Sequence, residues 1–369
     1  MKIIIDARLY GSSHGGIGRY IEELIKNLEK TDSNNLYVII LAKNNFDEYI
    51  PRNRNFKKIL ADYKIYGFKE QFFLPGLINK HKPDLVHFPH FNAPLFFGGR
   101  FVVTIHDLII SHHPTTRAST LDPFTYWLKI LLYRLVISHA VKKSWKIVTV
   151  SQYTKKDIMD HFKTDPEKIS VIYEGADLPK TIENKKVLEE LGITKDFLLY
   201  VGSAYPHKNL ENLILAFQKM NSDCQLVLVG KKNRFYQELE DNIPDNLKSR
   251  IILTDYLPDE KLASLYQSAK LYVFPSLIEG FGLPPLEAQS YGLPVVSSNA
   301  TCLPEILGES AMYFNPNNIE DMAGKMDLVL KDESLRQELR EKGYGNLKRF
   351  SWKKTALQTL EIYSSLDKK

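Results

Sequence analysis

The chain has 369 residues, 44% of them hydrophobic and 25% charged. That is ordinary globular usage, which excludes a disordered chain, a collagen-like repeat and a disulfide scaffold; at roughly 100–200 residues per domain the length predicts two domains. The net charge of +5 divides unevenly, because residues 1–180 hold 26 Lys and Arg against 18 Asp and Glu while the remainder holds 23 against 26. The first part suits an anionic ligand or surface, or is simply a solvated face.

The opening Met1-Lys2-Ile3-Ile4-Ile5-Asp6 is too short an apolar run for a signal peptide. No stretch approaches the ~18 apolar residues of a membrane span. Cys224 and Cys302 lack metal-ligand spacing and read as small buried thiols of a reducing compartment, so a cytoplasmic protein is expected.

Short β-branched runs alternate with amphipathic segments along the chain, the pattern of parallel sheets with crossover helices. In the first part, strands are predicted at Lys2–Ile5, Tyr37–Leu41, Asp84–His87, Phe101–Ile105, Lys146–Val150 and Ile169–Ile172, with a helix over Ile17–Lys30. Residues 175–195 break the pattern and read as a linker. Strands follow at Phe197–Val201, Gln225–Val229, Ile251–Leu253, Leu271–Phe274 and Pro294–Ser297, with helices at Asn209–Met220 and around Phe235; Asn318–Leu366 is helical by period. The expected fold is α/β, two Rossmann-like doubly wound domains facing a cleft, with ligands at the carboxyl ends of the strands. The predicted division is 1–175, 176–350 and a C-terminal helix, 351–369, that packs back toward the N-terminal domain.

Four constellations stand at such strand ends. Gly202-Ser203-Ala204-Tyr205-Pro206-His207-Lys208-Asn209 follows a buried strand and presents Lys208 where a helix begins, a place that favours a diphosphate, though ordinary loops look alike. Glu279-Gly280-Phe281-Gly282-Leu283-Pro284-Pro285-Leu286-Glu287 pairs two carboxylates with the amides of Phe281, Gly282 and Leu283, which suits a polyhydroxylated anion. Eight residues of pure helix would part those carboxylates by ~12 Å, beyond the ~5–9.5 Å of a glycosidase pair; a loop could shorten this, so spacing alone leaves that choice open. Gly15-Gly16-Ile17-Gly18-Arg19-Tyr20 opens a helix and is either a second phosphate-facing terminus or a plain glycine turn; it is neither a dinucleotide fingerprint nor a P-loop. His106-Asp107 follows Phe101–Ile105, where an imidazole can hydrogen-bond a ligand hydroxyl. His87, His90, His112 and His113 read as loop or packing histidines.

Residues 124–135 and 142–146 mix aromatic, aliphatic and basic side chains, either a core helix or one lying at a membrane interface. Arg52, Arg54, Lys57 and Lys58 add charge without the aromatic interleaving that base stacking needs, so nucleic acid is not an expected partner.

Together, Gly15–Tyr20, Thr104-Ile105-His106-Asp107, Val150-Ser151, Val201-Gly202 through Lys208-Asn209, Glu279 to Glu287 and Leu303-Pro304-Glu305 resemble glycosyltransferase family 4, the retaining GT-B enzymes. The resemblance is strongest to bacterial mannosyltransferases of surface polysaccharide assembly. It implies a metal-independent hexosyltransferase that moves mannose from GDP-mannose to a saccharide or lipid-linked saccharide, with no other cofactor. By that resemblance the N-terminal domain binds the acceptor and the C-terminal domain the nucleotide sugar. Glu279 would hold the sugar hydroxyls, Glu287 the ribose, and the amides of Phe281, Gly282 and Leu283 the sugar and diphosphate. Lys208 would neutralise the leaving diphosphate opposite Gly16, Tyr256 and Leu257 would flank the base, and His106 would sit at the reaction centre. Arg19, Tyr20 and Ser151 fall on the acceptor side. Many members carry Arg where Ser203 or His207 stands here, which leaves the diphosphate without that cation unless His207 or Arg19 replaces it. A UDP-sugar donor, a non-catalytic GT-B partner subunit, and a phosphorylase or epimerase are the alternatives. The basic first part would then contact anionic membrane at the inner face of the plasma membrane.

Overall fold

A computed structural model describes residues 1–112, 114, 122–176 and 186–368. The chain divides into two compact units, Met1–Gly175 with Ser351–Lys369, and Ala176–Phe350. His113 and residues 177–185 of the predicted linker lie outside the described residues, and Lys186–Glu190 of that stretch is a short helix.

Among the described residues, the first unit has seven strands, β1 (Lys2–Asp6), β2 (Leu36–Leu41), β3 (Phe56–Leu60), β4 (Leu85–Phe88), β5 (Phe101–Ile105), β6 (Lys146–Thr149) and β7 (Ile169–Val171). They pair in parallel in the order β3-β2-β1-β4-β5-β6-β7. The central strands are buried on both faces, as parallel strands covered by helices must be, and this is why they read as unbroken apolar runs. The edge strand β3, Phe-Lys-Lys-Ile-Leu, was not predicted: its two lysines hide the strand pattern, and edge strands tolerate such charge because it discourages pairing with another chain.

The second unit repeats the plan with β8 (Phe197–Val201), β9 (Gln225–Val229), β10 (Ile251–Thr254), β11 (Leu271–Phe274), β12 (Val295–Ser298) and β13 (Ala311–Phe314), all parallel, in the order β10-β9-β8-β11-β12-β13. β13 was also missed, being short and flanked by polar loops. Strand order reverses between β1 and β4 in one sheet and between β8 and β11 in the other. In open α/β sheets such switch points leave a crevice beyond the strands' carboxyl ends.

The stretch 318–366, helical by period, is three helices, Ile319–Lys331, Glu333–Leu347 and Trp352–Ser364. The last belongs to the first unit, where it packs against the helix Gly15–Thr31. Trp352 lies 6.3 Å from Tyr20 ring to ring, and Thr355 donates to the Tyr173 carbonyl at 2.8 Å. Tyr363 reaches His87: its hydroxyl is 2.6 Å from Nδ1, while Nε2 lies 2.9 Å from Thr104 Oγ1, itself 3.2 Å from the Tyr20 hydroxyl. This buried polar chain ties the helix to β4 and β5, with all four side chains enclosed.

Candidate active site

The loop after β8 is built from within. The Tyr236 hydroxyl donates to the Gly202 carbonyl and the Tyr200 hydroxyl to the Ser203 carbonyl, both at 2.8 Å, so Ser203 is held by its backbone. A 3-10 turn, Pro206–Lys208, then passes into the helix Leu210–Lys219 through Asn209, whose left-handed backbone (φ 62°) reverses the chain. The Asn209 amide donates to the carbonyls of Pro275 at 3.1 Å and Pro316 at 2.8 Å, fixing the turn against the loop after β11. The amide of Leu277 donates to the His207 carbonyl at 2.8 Å. His207 itself stacks on Tyr205, with centroids 5.9 Å apart.

These constraints bring Lys208 to Glu279. Lys208 Nζ donates to Glu279 Oε1 at 2.6 Å, and both side chains are largely buried. Two of the residues singled out in the sequence thus meet at the β8/β11 switch point. The Glu279 loop is held by residues the sequence gave no reason to select. The thiol of Cys302 donates to the carbonyls of Glu279 at 3.2 Å and Phe281 at 3.3 Å, and the Glu279 amide donates to Thr301 Oγ1 at 3.1 Å. Burial, then the charges of Glu279 and Glu305, push the Cys302 thiol well above its usual range, so it remains a donor. Beside them Ser276 is fully buried, and its hydroxyl has no partner among the described residues.

Gly282 takes φ 100°, a conformation L side chains avoid, and turns the chain into the helix Leu283–Ser290. The segment from Glu279 to Glu287 is therefore loop followed by helix, and the ~12 Å separation of a pure helix does not apply. Pro284 and Pro285 have no amide hydrogen, so donors near the start of this helix come from Phe281, Gly282 and Leu283. Phe281 is buried and sets its ring edge-on against Phe350. Glu287 accepts a long 3.4 Å hydrogen bond from the Tyr266 hydroxyl. The Tyr272 hydroxyl senses both carboxylates: burial first, then Glu287 and Glu279, push it far above the usual phenol range against the opposing bond to Val201. Tyr256 is exposed and Leu257 half-buried beyond the end of β10, two strands from β8 and so roughly 10 Å away at ~4.8 Å per strand.

In the first unit the glycine run lies inside the helix, which begins at Gly15 rather than Ile17. Gly16 and Arg19 are exposed on its first turns. Gly18 serves packing: a Cβ there would come within 2.0 Å of the Gly11 carbonyl oxygen. Tyr20, placed on the acceptor side by resemblance, is wholly enclosed, and it meets His106 edge-on at 4.8 Å. Ser151 is likewise buried, capping the helix Gln152–Phe162 by accepting from the Thr154 amide at 3.1 Å. In this structure neither side chain presents itself to a ligand.

His106 stands at the carboxyl end of β5, as its sequence position indicated, but both ring nitrogens are engaged within the protein. Nδ1 is 3.2 Å from the Glu174 carboxylate and Nε2 3.0 Å from the Pro89 carbonyl. Two acceptors facing two ring nitrogens favour the doubly protonated ring. Burial opposes that charge, but Glu174, the Pro89 carbonyl and Asp107 outweigh it and raise the pKa. Of the other histidines, His87 is a core residue, His90 touches Tyr66 and Phe91, and His112 pairs with Asp157 at 2.7 Å.

Comparison with known proteins agrees with this arrangement. The profile described as Glycosyltransferase Family 4 matches residues 14–180, and that described as Glycosyl transferases group 1 matches residues 182–346. The chain belongs to the family 4, group 1 glycosyltransferases. The O-antigen chain mannosyltransferase B of Escherichia coli is 28% identical to this glycosyltransferase over 402 residues, covering 99% of this chain and 100% of that one. A serotype-specific mannosyltransferase of the same organism is 34% identical over 207 residues, 54% of this chain and 25% of that one. Among solved structures, Anabaena HepE in complex with UDP and glucose superposes with a TM-score of 0.77 at 20% identity, covering 99% of this chain and 100% of that one. The two Rossmann-like sheets are thus those of a GT-B glycosyltransferase.

Proposed function

We propose that this glycosyltransferase moves mannose from GDP-mannose, with retention of configuration and without a metal ion, to a hydroxyl of a saccharide or lipid-linked saccharide in polysaccharide or lipopolysaccharide assembly. The observation that carries the reading is the Lys208–Glu279 pair at the β8/β11 switch point, a cation and a hydroxyl acceptor within one hydrogen bond of each other. The names of the relatives support mannose.

In this reading the second unit is the donor domain. Glu279 accepts hydrogen bonds from the hexose hydroxyls and Glu287 from the ribose, while the amides of Phe281, Gly282 and Leu283 meet the sugar and diphosphate. Ser203 lies against the diphosphate, Gly16 faces it, and Tyr256 and Leu257 flank the base. Lys208 and the start of the helix after Gly282 stabilise the charge that develops on the diphosphate, the work a metal ion performs elsewhere. The bond from the sugar's anomeric carbon to phosphate breaks as the acceptor oxygen attacks from the same face. The acceptor proton passes to the departing phosphate oxygen. His106 lies beside the transferred sugar, with Arg19, Tyr20 and Ser151 on the acceptor side, the latter two as supports. The protein works in the cytoplasm, in peripheral contact with anionic membrane at the inner face of the plasma membrane.

Transfer from radiolabelled GDP-mannose to an extracted lipid-linked saccharide tests this. Glu279→Ala should lower transfer about 10²-fold or more, the scale of one lost transition-state contact of ~3 kcal/mol. Unchanged transfer overturns the assignment of Glu279. In parallel, a thermal-shift series with GDP, UDP, ADP and their sugars should give the largest stabilisation with the guanine nucleotides. Stabilisation by UDP alone overturns the donor.

A further inference from the structure

The helix Pro123–Lys143 buries one face and leaves the other apolar. Ile137, Ala140 and Val141 enter the core over the first sheet, and Ile130 is buried. On the opposite side Trp127, Leu128, Leu131 and Leu135 recur at helical spacing and are each about half exposed, at 52%, 48%, 56% and 52%. A soluble surface helix normally places charge at those positions. Here the helix has no acidic residue, and its exposed charges, Lys129, Arg134, Lys142 and Lys143, are all positive.

The helix Phe68–Lys80 has the same character. Leu74 and Ile78 join the same core, while Phe68, Phe72 and Phe73 are exposed. Its one acid, Glu70, is turned inward onto Arg8 at 2.5 Å. The loop between β4 and β5 bridges the two helices: Phe96 stacks on Phe72 at 4.8 Å, and Phe91 meets Tyr133 edge-on at 5.0 Å. Since both helices contribute to one core, their outer faces look away from the same side of the sheet.

The occupant follows from charge. A second copy would set the same lysines and arginines against one another, a costly like-charge contact. Single-stranded nucleic acid would use the aromatic rings and cations but not a stripe of leucines. Acyl chains accept the leucines and phenylalanines, and anionic headgroups accept the cations. No helix among the described residues is long and apolar enough to cross a membrane, so the contact lies in the interface plane.

We propose that the outer faces of the helices Phe68–Lys80 and Pro123–Lys143 form one docking surface for an anionic lipid bilayer, with Phe72, Trp127, Leu131 and Leu135 entering the interface and Lys129 and Arg134 meeting the headgroups. The inference rests on the proposed membrane contact and on nothing about the donor or the reaction.

The test is sedimentation of the full chain with vesicles of phosphatidylcholine, with and without phosphatidylglycerol. The protein should pellet with the anionic vesicles and be released as salt rises past ~0.1 M, where screening acts within about 10 Å. The double variant Leu131→Glu, Leu135→Glu alters only exposed positions and should weaken binding at least about tenfold. Lys129→Glu with Arg134→Glu should remove the preference for phosphatidylglycerol, a loss of roughly thirtyfold at about 1 kcal/mol for each of the two cations. Trp127 fluorescence should shift to the blue on vesicle addition. Failure to pellet at low salt overturns the proposal, as does binding that ignores the Leu131→Glu, Leu135→Glu change. A dimer in solution that this variant dissociates, without vesicle binding, assigns the face to a second copy and overturns it too. Transfer to a water-soluble acceptor should be the same in all these variants, which separates failure of the docking surface from failure of the proposed reaction.

Discussion

Lys208 and Glu279, 71 residues apart in sequence, share a 2.6 Å ion pair because each stands just past the carboxyl end of one of two neighbouring strands. Before any donor arrives, each is the other's counter-ion. In the proposed reading, an arriving diphosphate takes over the Lys208 ammonium while a sugar hydroxyl takes over the Glu279 carboxylate.

From this it follows that Lys208→Ala should weaken a nucleoside diphosphate by about 1.5–3 kcal/mol, the worth of a hydrogen bond to a charged group, and leave the nucleoside almost unaffected. Isothermal titration with GDP and guanosine decides the matter. Equal losses for the two ligands contradict a phosphate role.

His106 and Glu174 give a pH prediction. The folded pKa of His106 is raised above the 6.5 of a free imidazole: burial pulls it down, and Glu174, Pro89 and Asp107 push it up further. The protonated ring therefore contributes stability that is fully present below about pH 6.5 and is lost as pH rises through the raised value. Tyr20 presents only a ring edge, and His87 stays neutral because burial, then the His106 charge, lowers it to about 3. Glu174→Gln should move the His106 titration, followed by NMR, to lower pH, together with the pH at which Tm begins to fall. A titration that stays in place removes Glu174 as the group that positions and charges this ring.

The fold was legible in the sequence wherever strands are central, since a strand buried on both faces must be a short apolar run. It was not legible at β3, where Lys57 and Lys58 occupy an edge that water reaches, nor at the start of the first long helix, where glycines with poor helix propensity are nevertheless helical. In that motif the sequence left a phosphate-facing terminus and a plain glycine turn both open, and only the family resemblance placed Gly16 opposite Lys208. The backbone adds that Gly18 has no room for a side chain, because the turn at Leu9 and Gly11 crosses it. At the site, Lys208 and Glu279 were readable from their places after strands. Cys302 and Thr301 were not, since a thiol and a hydroxyl that hold carbonyl and amide groups of a distant loop leave no spacing to detect. Tyr20 and Ser151 show the converse: residues of a family motif can serve it from inside the core.

Tyr363→Phe should destabilise the protein by about 1–3 kcal/mol in urea unfolding, because His87 Nδ1 loses its 2.6 Å partner in a place water does not reach. The change in shape is one oxygen atom, so packing loss contributes little. An unaltered midpoint indicates that His87 finds another partner.

Ser276→Ala should behave in the opposite way. Its hydroxyl is fully buried with no partner among the described residues, so its removal should leave Tm unchanged or raise it. If the hydroxyl is satisfied only by bound donor, the gain in Tm on adding GDP-mannose should shrink in the variant. A fall in Tm without ligand contradicts the unsatisfied state.

The return of the helix Trp352–Ser364 to the first unit has a consequence for biosynthesis. When ribosomes have made residues 1–175, the N-terminal sheet is complete in strands, yet Tyr20 still lacks Trp352 and His87 lacks Tyr363. That half must wait, with a gap along its first long helix, through the translation of the whole second half. A nascent chain stalled before residue 352 should therefore be a client for chaperones.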